Sequence, residues 1–274
     1  MKARSVVVVG GGIVGVASAL YLQRDGHAVT LIDRNDPGEG CSLGNAGILG
    51  TYSVIPLATA DTLREIPRML VDPLGPLCIR WRYLPRLLPW LARFLACARP
   101  AKVAASTLAL AAMQNCVLDA YRVLLDQASA HDLVSASGLL YAYESENEYA
   151  AAAKNRDVQR QHGVAVKELS GAAAHELLPA LGPDIKRATL FPNCAHTVNP
   201  LRLVQTLAED FVRRGGNIKR ASVTGVDVQE NRIIVHTATD RYLGEVVVVA
   251  LGAWSRKLAS ALGSPVPLDT ERGY

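Results

Sequence analysis

The sequence predicts an α/β protein built on a parallel sheet and interrupted by a long mixed insert, and three observations predict it. Near the start, Val6, Val7, Val8 and Val9 form a continuous β-branched run that breaks into Gly10, Gly11 and Gly12 and then into a helical pattern. That is the signature of a strand buried on both faces feeding a helix through a tight turn. Near the other end a second such run, Val246 to Val249, closes on Ala250-Leu251-Gly252-Ala253-Trp254 and is expected to be another fully buried strand. Between them, from Tyr52 to about Pro192, the chain is helix-rich and strand-poor. A single domain of regular strand-helix repeats would carry no such insert. Two domains are therefore expected, a discontinuous one from residues 1–50 and 196–274 and an inserted α+β one from 51–195.

The first turn reads Gly10-Gly11-Gly12-Ile13-Val14-Gly15 and contains G-x-G-x-x-G. Each glycine of the pattern has its own reason: Gly10 permits the turn, Gly12 lets backbone approach a pyrophosphate, and Gly15 lets helix pack close to strand. The helix from Ile13 to about Arg24 then aims its unpaired N–H groups and positive dipole end at that phosphate. Gly26 reads as the helix end, Ala28 to Ile32 as the second strand, and Asp33 stands at its tip, 18 residues after Gly15. An acid there accepts hydrogen bonds from an adenosine ribose and repels a 2′-phosphate. The arrangement is a Rossmann-like dinucleotide site.

The remaining elements follow from period and punctuation. Prolines at 67, 73, 76, 85, 89 and 100 imply short helices, and Pro89 is expected to interrupt any long amphipathic one. Thr107 to Ala130 is the longest helical candidate, with Leu110, Met113, Val117, Leu118, Tyr121, Leu124 and Leu125 at helical spacing. Strands are expected at 138–143 and 164–169, a polar helix at 146–162, and a short helix capped by Ser170. A strand at 188–192 leads through Cys194 to Pro200 into a helix over 201–214. Asn217 to Val223 reads as a further strand of the nucleotide sheet, and 225–229 with 233–237 as a two-stranded meander.

After Asp33 the turn residues Asn35 to Gly40 deliver the chain to Cys41-Ser42-Leu43-Gly44-Asn45-Ala46-Gly47, small and polar residues that suit a backbone lying against a flat ligand. The glycine fingerprint followed by this C-S-x-G-N-A-G loop resembles the FAD-dependent oxidoreductases of the D-amino acid dehydrogenase and oxidase group. The resemblance implies that FAD, held without a covalent bond to Cys41, contacts Gly10, Gly12, Ile13, Val14, Gly15, Asp33 and Arg34. On the same footing Ser42 would touch the pyrophosphate, and Asn45, Ala46 and Gly47 would pass the flavin ring. Val223, Gly252 and Trp254 complete the implied cofactor set, and His196 and Tyr274 are the substrate candidates. The implied activity is oxidation of the α-carbon of a D-amino acid to an imino acid, with a quinone of the respiratory chain or oxygen taking the electrons. The resemblance covers essentially this whole chain but about the first two thirds of a family member, so the C-terminal part of the fold is expected to be absent. The alternatives are a truncated FAD-binding fragment without activity and an amine oxidase like the sarcosine and glycine oxidases.

Composition excludes other classes. With 274 residues and 50% hydrophobic content the chain can bury a sizeable core, and its net charge of +4 falls short of a nucleic-acid footprint. Five cysteines without a C-x-x-C pair are expected to be reduced, and six dispersed histidines suggest no metal site. There is no G-x-S-x-G elbow, Walker loop or H-E-x-x-H. The N-terminal apolar run enters a glycine turn, not a signal-peptide cleavage site, so a cytoplasmic protein is expected. The basic, aromatic stretch Arg80-Trp81-Arg82-Tyr83 with Arg86, Trp90, Arg93 and Phe94 reads as a stripe core-facing on one side and solvated on the other, with peripheral contact with the cytosolic face of the inner membrane as the alternative.

Overall fold

In the computed structural model, residues 2–71, 82, 84–230 and 232–268 are described. Cys78, Arg80, Trp81, Tyr83 and the substrate candidate Tyr274 lie outside the described residues. In chain order the elements are β1 (Ser5–Val9), α1 (Ile13–Arg24), β2 (Ala28–Asp33), β3 (Ile48–Leu49), α2 (Ala60–Val71), α3 (Leu84–Cys97), α4 (Pro100–Gln114) and α5 (Val117–Ala128). They continue with β4 (Val134–Ser135), β5 (Leu139–Tyr143), α6 (Glu146–Ala151), α7 (Ala153–Gln161), β6 (Lys167–Ser170), α8 (Gly171–Leu177), β7 (Arg187–Phe191) and β8 (Ala195–Thr197). Last come α9 (Pro200–Arg213), β9 (Asn217–Arg220), β10 (Val223–Gln229), β11 (Arg232–Thr237), β12 (Arg241–Gly244), β13 (Val246–Val249) and α10 (Ser255–Ala261). Two compact units result, residues 1–48, 119–135 and 197–274 in the first, 49–118 and 136–196 in the second.

The first unit is built on a parallel sheet of order β13-β1-β2-β9, with Val6 opposite Val246 on one side and Val29 on the other. The valine run of β1 alternates between two cores, as the period of a strand requires. Val6 and Val8 join Val16 and Leu20 of α1 and Leu203, Leu207 and Phe211 of α9. Val7 and Val9 join Ile32 and, from the antiparallel β10-β11-β12 sheet, Ile233 and Val235. Leu31, Leu207 and Phe211 are fully enclosed, each contributing roughly 1.5–3 kcal/mol by burial. Leu124, Leu125 and Ala128 belong to the same core as α1 and α9, which draws 119–135 into this unit although the sequence places them in the insert.

Several expectations change. The run 107–130 is two helices, divided at Asn115 and Cys116, and the polar helix 146–162 is divided at Ala152. The expected strand 164–169 is displaced to β6, and that at 217–223 stops at Arg220, where Ala221 N–H donates to the Asp33 carbonyl at 2.7 Å. The meander has a third strand, β12. Val246 to Val249 are half-buried, not fully buried, because β13 stands at the edge of the described sheet. Pro89 lies inside α3; its missing N–H would have faced the carbonyl of Pro85 in the first turn, so one bond is forfeited and the helix continues. In the second unit β5, β7 and β6 form an antiparallel sheet, and Phe191 packs with Val54, Ala111, Val164 and Cys194.

Candidate functional site

The C-terminal ends of β13, β1 and β2 lie side by side in the first unit, the edge of an open parallel sheet where ligands bind. The three glycines of the fingerprint have different standing there. Gly10 has φ +117°, and a Cβ on it would lie 2.3 Å from the Ala250 carbonyl oxygen. On Gly15 a Cβ would lie 1.8 Å from the Gly10 oxygen. Both positions are required by the fold itself. Gly12 is not: its φ of −75° and ψ of 179° suit any residue, and a Cβ there would meet only the Ser42 hydroxyl, at 3.3 Å. Apart from that one tight contact the protein has no packing reason to leave this position bare, which suits close approach of a phosphate.

Gly12 begins α1 with no side-chain cap, and the first turn of α1 carries no acidic residue, so its positive end is not neutralised from within the helix. Ile13 N–H donates to Ser42 Oγ at 3.1 Å, and Ser42 is buried. Its hydroxyl, already accepting from the helix, keeps its own proton to donate to an anion. Val14, two residues into the turn, is 65% exposed. Asp33 is held by two backbone donors, Gly11 N–H on Oδ2 at 2.7 Å and Asn35 N–H on Oδ1 at 2.8 Å. A carboxylate has about four acceptor positions, so lone pairs remain on both oxygens. Next to it the Arg34 guanidinium lies over the Trp254 ring, 4.9 Å from its centroid, in the turn that opens at Gly252.

The loop from Asn35 to Gly47 is folded by its own polar groups. Gly38 N–H donates to the Gly11 carbonyl at 2.9 Å, Asn45 Nδ2 to the Ser42 carbonyl at 3.0 Å, and Gly47 N–H to Asn45 Oδ1 at 2.6 Å. Gly47 in turn accepts from Thr197 N–H at 2.8 Å. The Asn45 amide is thus engaged in shaping the loop, which turns Asn45 and Ala46 outward. Val223 opens β10 opposite Thr237 and packs half-buried on the core of Val7, Val9 and Ile32. Gly11 and Asn35, the two donors that orient Asp33, were not singled out from the sequence; Asp33-Arg34-Asn35 carries the signal, an acid bonding the backbone two residues on.

In the second unit His196 shares a hydrogen bond of 3.1 Å between Nδ1 and Ser137 Oγ. Tyr141 on β5 donates to the Tyr52 hydroxyl at 3.2 Å, and both rings pack on Phe191. Partial desolvation, followed by the Tyr52 bond, pushes the Tyr141 phenol upward, although the residue is 44% exposed and solvent screens part of the effect. Among the described residues no group of three or more His, Cys, Asp or Glu is placed to hold a metal ion.

Comparison with known proteins decides the family. The model of the FAD-dependent oxidoreductase (DAO) family matches residues 5–274. The chain belongs to this family. Among DAO-family relatives, a D-amino-acid oxidase of Bradyrhizobium diazoefficiens is 35% identical over the whole chain, which spans 66% of that relative. A D-amino acid dehydrogenase of Dechloromonas aromatica is 28% identical over 98% of the chain and 67% of the relative. Among solved structures, the glycine oxidase of Bacillus cereus superposes with a TM-score of 0.62 at 21% identity, covering 94% of this chain and 58% of that one. For the L-amino acid deaminase of Proteus myxofaciens the values are 0.65, 17%, 97% and 49%. The fold is therefore the DAO α/β fold, and the chain spans about two thirds of the curated relatives it matches.

Proposed function

We propose that the chain binds FAD and faces substrate in an enzyme that oxidises the α-carbon of a D-amino acid. Residues 1–50 and 196–274, with 119–135, would hold FAD, and the remaining residues would face the substrate. The observation that carries the reading is Gly12, bare where the backbone does not ask for it and placed at the start of α1, where, among the described residues, only Ile13 N–H has a side-chain partner, the Ser42 hydroxyl. The D-amino acid is supported by the 35% identical relative.

Held by these residues, FAD would supply the acceptor for the α-hydrogen and its electron pair, and water would hydrolyse the imino acid so formed to a keto acid and ammonia. The chain's residues do the holding. The start of α1 and the Ser42 hydroxyl would bind the pyrophosphate, and Asp33 the ribose hydroxyls, with Ile13, Val14, Arg34, Val223, Gly252 and Trp254 lining the rest. Asn45, Ala46 and Gly47 would border the flavin ring, and His196 with Ser137 would stand on the substrate side. FAD is expected to be held without a covalent bond. The relatives' names divide between oxidase and dehydrogenase, so the electron acceptor is either oxygen or a respiratory quinone. The protein would work in the cytoplasm with peripheral contact to the inner membrane.

The test is anaerobic titration of the purified yellow protein with D- and L-amino acids, followed by its visible spectrum. Bleaching by D-enantiomers alone is expected, and admitting oxygen or a quinone then identifies the acceptor. A protein that binds FAD and is bleached by neither enantiomer refutes the substrate class, and one that takes up no FAD refutes the site.

A further inference from the structure

Between Pro73 and Leu118 the sequence holds six basic residues, Arg80, Arg82, Arg86, Arg93, Arg99 and Lys102, and no Asp or Glu. This charge exceeds the +4 of the whole chain, so the remainder is net acidic and the excess is concentrated here. Among the described residues, Arg86, Arg93, Arg99 and Lys102 are all exposed. No acidic side chain answers them from within the stretch.

The helices that carry these charges leave apolar surface uncovered. No residue of α3 is buried; Leu88, Trp90 and Leu95 are each more than half exposed, and Trp90 stacks on Phe94 at 5.0 Å. At 100° per residue, Leu84, Leu87, Leu91 and Phe94 form the middle of one side of the helix and are half-buried, the exposed Leu88 and Leu95 lie along one border of that side and Trp90 along the other, and Arg86 and Arg93 lie on the opposite side. In α4 only Thr107 and Ala111 are buried, while Leu108 and Met113 are 65% and 70% exposed. The run Pro100–Ala128 is apolar enough by length and composition to cross a membrane, yet 11% of its most apolar window is buried. Crossing is not what the geometry favours: α3, with 14 residues, is about 21 Å long, short of the roughly 30 Å hydrocarbon core. The far end of the Pro100–Ala128 run is occupied in the core of the first unit through Leu124, Leu125 and Ala128.

We infer that α3 and the start of α4 form a surface that lies on an anionic lipid bilayer, with Leu88, Trp90 and Leu95 entering the headgroup boundary and Arg86, Arg93, Arg99 and Lys102 meeting lipid phosphates. An apolar face with Trp, Phe and Leu against a basic one is the pattern of a helix lying in the interface. A second copy of this chain fits worse, since it would bring the same positive charges together. The inference rests on the peripheral-contact reading above and not on the amino-acid chemistry, and vesicle binding tests it without turnover.

The full chain is floated with vesicles of phosphatidylcholine containing phosphatidylglycerol and, separately, with phosphatidylcholine alone, over a range of salt. Binding to the anionic vesicles only, weakened by salt, is expected. Each basic side chain near the surface changes binding about fivefold, so Arg86→Gln, Arg93→Gln and Lys102→Gln together should weaken it about a hundredfold while the melting temperature and FAD content stay unchanged. Trp90→Phe should reduce the blue shift of tryptophan emission on binding. Failure of the unaltered chain to float with anionic vesicles, equal binding to both vesicle types, or a triple variant that binds like the original overturns the assignment. So does salt-insensitive self-association that masks the same residues.

Discussion

Substituting Gly12 by alanine separates binding from folding in a way the other fingerprint glycines do not allow. The new methyl would have Ser42 Oγ at 3.3 Å as its single close neighbour, and the backbone angles of −75° and 179° need no glycine. The change at a helix N-cap is then expected to cost on the order of 0.5–1 kcal/mol, a fall in Tm of about 1–4 °C for a chain of this size. On the proposed site the same methyl would stand where a phosphate oxygen approaches. Two charge-assisted bonds from the α1 N-terminus would be lost, roughly 1.5–3 kcal/mol each, so FAD should bind about 10²- to 10⁴-fold more weakly. Gly15→Ala is the control. Its methyl would lie 1.8 Å from the Gly10 oxygen, backbone that cannot turn aside, and overpacking of this kind costs about 1–3 kcal/mol or more. Thermal melts and quenching of flavin fluorescence on titration into apoprotein measure the two effects. A Gly12→Ala protein that binds FAD within threefold of the original, or a Gly15→Ala protein that melts with it, would falsify the reasoning.

Three further outcomes are expected. Asp33→Asn should weaken FAD by about 1–3 kcal/mol by removing a charged acceptor and, because its single amide oxygen can keep only one of the two backbone donors, should lower Tm, though less than Asp33→Ala, which leaves both Gly11 and Asn35 N–H without their partner; equal Tm for the two variants would contradict the hydrogen bonds described. The raised Tyr141 phenol means that the folded state keeps a proton which the unfolded state releases above pH about 10. Its stabilising effect is therefore complete below that pH and is lost as pH rises from there, and Tyr141→Phe should flatten this part of the stability profile in denaturant titrations from pH 9 to 11. Acid precipitation should release all flavin into the supernatant, and a flavin adduct on the Cys41 peptide would refute non-covalent attachment.

Much of the first unit was legible because its signals are local. A valine run, glycines at fixed offsets and an acid at a strand tip specify β1, α1, β2 and the position of Asp33 without reference to anything distant. The breaks at Asn115-Cys116 and at Ala152 were not legible, since neither holds a glycine or proline and the residues on both sides favour helix. Burial was misread where it depends on neighbours: Val246 to Val249 have the composition of a central strand, and only the sheet order makes them an edge. In the candidate site the pattern presents three glycines alike. Coordinates alone distinguish Gly10 and Gly15, which the fold requires, from Gly12, which it does not.

The order of the parallel sheet also governs how the chain folds as it is made. β1 and β2 emerge first, but β2 pairs with Asn217 to Arg220 and β1 with Val246 to Val249. Some 184 residues separate the end of β2 from the start of β9, which at about 5–20 residues per second is roughly 9–37 s of synthesis. Throughout that interval the β1-α1-β2 segment stands without either outer strand, and for all but its last part without α9, its valine and leucine faces open to other nascent chains. The nucleotide unit is thus among the last parts of this protein to close, and its yield should respond to translation speed and to chaperones that shield β-rich segments.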